Sequence, residues 1–180
     1  EDTEYPVKNE RAAREVSAIS QVRPIAPIEA RGATHAGRVR ARNEDAFAVL
    51  ANLGLAMVAD GLGGHPAGDV AARMAMEDIA NYLGGRELEP TLSRDDDTAP
   101  RLTLGLLALA VQHANKAIHA TATQVAECNG MGTTLAAVLV VRGFAFLAHV
   151  GDSRVYRLRE GTLVLLTEDH SMAAEYRRLR

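Results

Sequence analysis

A chain of 180 residues, 47% hydrophobic and 24% charged, is long enough for one domain with a sizeable core and too short for two full ones, and its balance excludes a disordered or fibrous protein. The net charge of −3 excludes broad electrostatic attraction to nucleic acid or to an anionic membrane surface. A single cysteine, Cys128, excludes an internal disulfide and suits a reducing compartment, so the cytoplasm is the expected location.

The chain opens with Glu1-Asp2-Thr3-Glu4 and no apolar run behind it, so neither a signal peptide nor a membrane span is expected. It lacks an initial Met, as a processed or excised piece would. Residues 1–26 contain Pro6 and Pro24 without sustained periodicity and read as a polar tail or linker; residues 27–180 are expected to form the domain. From Ile28 to Leu50 the pattern is strand-like, interrupted by Gly32 and Gly37. Leu55-Ala56-Met57-Val58-Ala59 then runs into Asp60, which predicts a buried strand ending in a carboxylate.

Beyond a glycine-rich turn, Ala72, Met76, Ile79 and Leu83 fall at i, i+4, i+7 and i+11, the apolar face of a helix that Gly84-Gly85 stops. A polar connection containing Asp95-Asp96-Asp97 leads to Pro100, suited to the first turn of a second helix with Leu104, Leu107, Val111, Ala114 and Ile118 on one side. From residue 134 the character changes: strand-like runs at 134–141, 144–150, 154–158 and 162–166 are joined by links at 142–143, 151–153 and 160–161 short enough to demand antiparallel hairpins. The order strand, helix, helix, strand meander predicts an α+β layer architecture.

Four segments carry candidate chemistry: Gly37 to Asp45 (GRVRARNED), the DGLGGH run at 60–65, GMGTT at 130–134 and VGDSRVY at 150–156. Each places a carboxylate or glycine at a strand end or turn, where an anionic side chain can project into a cleft. Glu44, Asp45, Asp60 and Asp152 are therefore candidates to converge. Packed carboxylates repel unless a cation sits among them, and an oxygen-only set suits Mg²⁺ or Mn²⁺. Zinc is disfavoured because no Cys/His ligand spacing occurs. Gly61, without a side chain, lets its carbonyl approach an ion. Two plainer readings stand beside this one. A dinucleotide-binding fingerprint fits Gly61 and Gly63 but meets Pro66 at its third glycine position. Arg38, Arg40 and Arg42 alternate as on one face of an extended strand, where arginines are usually solvated.

The combination of these segments with Thr167-Glu168-Asp169-His170-Ser171 resembles the protein phosphatase 2C family, the metal-dependent protein phosphatases, and in particular its bacterial members. The match covers roughly residues 28–171. What the resemblance implies is a pair of antiparallel β-sheets packed as a sandwich and flanked by α-helices, with two Mn²⁺ or Mg²⁺ ions at one end. It further implies that Asp60 bridges the ions, that the Gly61 carbonyl binds one, and that Glu44 and Asp45 hold ions or their waters. Arg40 would grip the substrate phosphate and Asp152 a third, weaker ion, although a Gly-Asp-Ser turn is also self-explanatory. Leu62 stands where many eukaryotic members carry a histidine; His65 is a possible proton donor, with a turn or helix-start role equally open. The family places two further aspartates after the TEDHS segment, for which this chain offers no counterpart, so weak metal binding is expected of residues 1–180.

The implied activity is hydrolysis of phosphoserine and phosphothreonine on proteins by a water bridging two ions, opposing a serine/threonine kinase, with no nucleic-acid or membrane partner. The alternative is a catalytically incomplete pseudophosphatase acting as a phosphoprotein-binding or regulatory module.

Overall fold

In the computed structural model the described residues are 28–40, 42–62, 67–85, 91, 98–172 and 176. The expected tail at 1–26, His65 and Asp95 to Asp97 lie outside them. Strands β1 (Asp45–Leu50) and β2 (Leu55–Asp60) form an antiparallel hairpin, turned by residues 51–54 with Gly54 at φ 68°. The chain then leaves the sheet for two helices, α1 (Gly68–Gly84) and α2 (Ala99–Gln124), the second with a proline in its first turn. A short 3-10 turn, Ala126–Cys128, leads back to β3 (Leu135–Val141), which pairs with β2, and β4 (Phe144–Val150) folds back on β3. The four-stranded sheet therefore runs β1-β2-β3-β4, antiparallel throughout.

Alternation builds the core. Leu55, Met57 and Ala59 of β2 and Leu135, Ala137 and Leu139 of β3 share the face against which α1 and α2 pack. The predicted stripe of α1 meets it: Ala72, Met76, Ile79 and Leu83 are all buried. Each fully buried Leu or Ile contributes about 1.5–3 kcal/mol relative to leaving it in water. The opposite sheet face carries Phe47, Val58 and Leu147 in partly accessible positions. A second, two-stranded antiparallel sheet pairs β5 (Tyr156–Arg159) with β6 (Thr162–Leu165). The α+β class and the antiparallel sheets are as expected.

Three details differ from the sequence pattern. Among the described residues of 28–44 there is no strand; residues 37–39 turn, with Gly37 at φ 77°, so the three arginines do not alternate along a strand. The strand begins only at Asp45, whose amide donates to Asn43 Oδ1 at 3.1 Å. On α2, Leu104 is 50% exposed while Thr103 and Ala110 are buried beside Leu107. Thr103 tolerates burial because its hydroxyl donates to the Ala99 carbonyl one turn back, at 2.8 Å. Finally, residues 151–155 are not a hairpin link. Gly151 adopts φ 96°, and β5 departs into the second sheet instead of pairing with β4.

Candidate functional site

The antiparallel register places Asp45, the first residue of β1, directly opposite Asp60, the last of β2. Beyond this pair the two chains stay joined. The Gly61 amide donates to the Glu44 carbonyl at 3.1 Å, and Leu62 donates to the Gly132 carbonyl at 3.0 Å. A β-carbon on residue 61 would collide with the Gly68 backbone and come within 2.8 Å of the Glu44 carbonyl. Only glycine therefore fits between the strand end and the start of α1.

This junction concentrates negative charge. The Asp60 carboxyl is held above the usual carboxylate range, first by partial withdrawal from water, then by the charge of Asp45 and a hydrogen bond between the two side chains, with Asp152 adding a smaller push the same way. Arg40 opposes the rise. Its guanidinium also reaches Glu44, Nη1 to Oε2 at 3.5 Å, while remaining half-exposed. Thus Arg40, Glu44, Asp45, Asp60 and Gly61 share one locality, and Asp152 acts on it from the turn after β4. Arg38 and Arg42 are not among the charges that act most strongly on Asp60.

The turn that carries Asp152 is held by several ties to its neighbours. The His170 amide donates to the Gly151 carbonyl at 2.8 Å, and Arg154 grips Asp169 with two bonds of 2.8 and 2.6 Å. The Ser153 and Thr134 hydroxyls lie 2.6 Å apart. Sequence reasoning singled out the GMGTT, VGDSRVY and TEDHS segments but gave these four side chains no role. The available signal was a hydroxyl at the mouth of an apolar strand, which cannot be buried without a partner.

Among the described residues no three carboxylate, imidazole or thiol side chains stand close enough to enclose an ion by themselves. The donor set nonetheless fits a hard divalent cation. It consists of oxygen only, its central carboxyl is pushed up by burial and by its neighbour's charge, which a cation would offset, and a cation that keeps several waters needs just one or two direct carboxylates. Such a cation would offset the repulsion between Asp45 and Asp60.

Residues 31–178 match the family model described as protein phosphatase 2C. The chain belongs to the protein phosphatase 2C family. It is 38% identical over 152 residues to the serine/threonine phosphatase stp of Listeria welshimeri, covering 79% of this chain and 54% of that protein. It is also 40% identical over 133 residues to the serine/threonine protein phosphatase PstP of Mycobacterium tuberculosis, covering 74% of this chain and 23% of that one. This phosphatase-family chain thus spans about half the length of the Listeria relative. The crystal structure of PstP/Ppp from M. tuberculosis superimposes with a TM-score of 0.64 at 37% identity, covering 79% of this chain and 55% of that one. A structure of the PstP catalytic domain in complex with two manganese ions gives 0.61 at 35%, covering 79% and 56%. None of the described helices is long and apolar enough to cross a membrane.

Proposed function

We propose that this phosphatase-family chain carries the metal-holding and phosphate-gripping half of a site that hydrolyses phosphoserine and phosphothreonine esters on proteins, in opposition to a serine/threonine kinase. The observation that carries the proposal is the in-register meeting of Asp45 and Asp60 at two strand ends, with Arg40 and Asp152 acting on the same carboxyl. The manganese-bound PstP structure, of a similar chain, supports Mn²⁺, with Mg²⁺ as the chemically related choice.

Asp60 is assigned to both ions, the Gly61 carbonyl to one, Glu44 and Asp45 to ions or their waters, and Asp152 to a further, weaker position. When bound, two such ions supply a water of lowered pKa and offset the charge of a phosphate dianion. The chain's own part is orientation and charge. Arg40 presents a planar fork of N–H donors matched to two phosphate oxygens, and its contact with Glu44 is long enough to be exchanged for a phosphate. Leu62 has no proton to give, so the leaving oxygen is assigned to His65.

The deciding experiment is hydrolysis of a phosphothreonine peptide across a Mn²⁺ titration, with Asp60→Asn alongside. Turnover that needs no divalent ion, or that survives in Asp60→Asn, overturns the proposal. Mn²⁺-dependent capture of the phosphopeptide without turnover would instead establish the recognition-module alternative.

A further inference from the structure

Only two polar side chains are buried among the described residues, Thr103 and Thr134. Thr103 is satisfied within its own helix. Thr134 is satisfied across the fold, which is the less ordinary arrangement. Its hydroxyl accepts the Asp60 amide at 3.0 Å and shares a hydrogen bond with Ser153 at 2.6 Å, while its own amide donates to the Asp60 carbonyl at 2.9 Å. Asp60 and Ser153 flank the two places from which the candidate carboxylates come, the end of β2 and the turn holding Asp152. A β-carbon on Gly151 would press on Thr134 Cγ2 at 2.7 Å, so the turn is seated on this same side chain.

We propose that Thr134 is a positioning residue, whose hydroxyl fixes the Asp60 backbone relative to the Ser153 turn and so sets the distance between the Asp60 and Asp152 carboxylates. This rests on the metal-site reading above. The hydroxyl does here what an apolar side chain cannot: it bonds two elements at once, accepting from the Asp60 amide and sharing a hydrogen bond with Ser153. The backbone bond from Thr134 to the Asp60 carbonyl survives any change of side chain, so substitution isolates the hydroxyl. Valine keeps the shape and removes both bonds; serine keeps both bonds and removes a methyl group.

The test is Mn²⁺ binding to the 180-residue chain by calorimetry, with metal-free hydrogen exchange of the Asp60 amide read by NMR. Wild type, Thr134→Val, Thr134→Ser, Ser153→Ala and Asp60→Asn are compared. Thr134→Val is expected to weaken Mn²⁺ roughly threefold to tenfold, since only part of the worth of the two lost bonds is felt at the metal, and to speed exchange at Asp60. Thr134→Ser is expected to restore both, and Ser153→Ala to weaken Mn²⁺ while leaving the Asp60 amide protected. Lower thermal stability in Thr134→Val with unchanged Mn²⁺ affinity overturns the inference. If Thr134→Val does not fold, Ser153→Ala decides: unchanged Mn²⁺ affinity there overturns it as well. If wild type and Asp60→Asn titrate alike, the metal-site reading falls and this inference falls with it.

Discussion

Asp45 and Asp60 stand opposite each other across the β1–β2 ladder, two acids paired in register at the point where both strands meet the candidate site. Like charges directly opposite destabilise an antiparallel pair. Because the Asp60 carboxyl is raised in the fold, the native chain binds more protons than the unfolded one, and metal-free stability falls as pH rises from the ordinary carboxylate range through the raised value. Asp60→Asn should therefore raise the melting temperature of the metal-free chain at pH 7 while abolishing the further rise that Mn²⁺ gives wild type. Melting curves from pH 3 to pH 8, with and without Mn²⁺, check both signs.

Arg40→Ala should raise KM for a phosphothreonine peptide by about tenfold or more, since a charge-assisted bond to phosphate is worth roughly 1.5–3 kcal/mol. The effect on kcat should be smaller if the fork holds ground and transition states alike. Steady-state kinetics that leave KM unchanged would move the phosphate role to another cation.

Removing the imidazole with His65→Ala should slow hydrolysis of a phosphoserine peptide more than that of an activated aryl phosphate, whose leaving group needs no proton. Measured with both substrates, equal slowing would make His65 a structural residue.

Within α2, Leu107 is fully buried and Leu104 is half-exposed. Leu107→Ala should cost about 2–5 kcal/mol of unfolding free energy, and Leu104→Ala no more than about 0.5. Urea titrations of the two variants would show the contrast, and similar losses would contradict the packing described.

Leu104 also shows where sequence stops being informative. A period of 3.6 located the main apolar face of α1 correctly because the large side chains of Met76, Ile79 and Leu83 line one side, while Ala71, Val70 and Met74 face a smaller cluster with Cys128 and Met131. Around residues 102–111 of α2 nearly every side is apolar, so periodicity could not say which leucine faces the sheet, and the tertiary contact with α1 decided it. Strands β3 and β4 were legible from their unbroken apolar runs and the Arg142-Gly143 turn, where both residues take positive φ. The departure of β5 was not, because it depends on Arg154 finding Asp169 and on Ser153 finding Thr134, pairings between segments far apart in the chain. The site followed the same division. Asp60 and Gly61 announce themselves at a strand end, whereas the pairing of Asp45 with Asp60 is a fact of register, and the place of Arg40 depends on a turn that reads as a strand.

The helical layer is an excursion between neighbouring strands: β2 and β3 lie side by side, yet the residues that clasp its neck, Asp60 and Thr134, are 74 positions apart. Closing so long a loop is expensive for a folding chain, but the cost grows only logarithmically, about 0.6 kcal/mol per doubling of length. The neck therefore insulates the carboxylates from what happens further out. Insertions and deletions between Gly85 and Ala99, the stretch that joins the two helices, should be tolerated with little effect on the strand ends, giving evolution a place to vary surface recognition without retuning the centre.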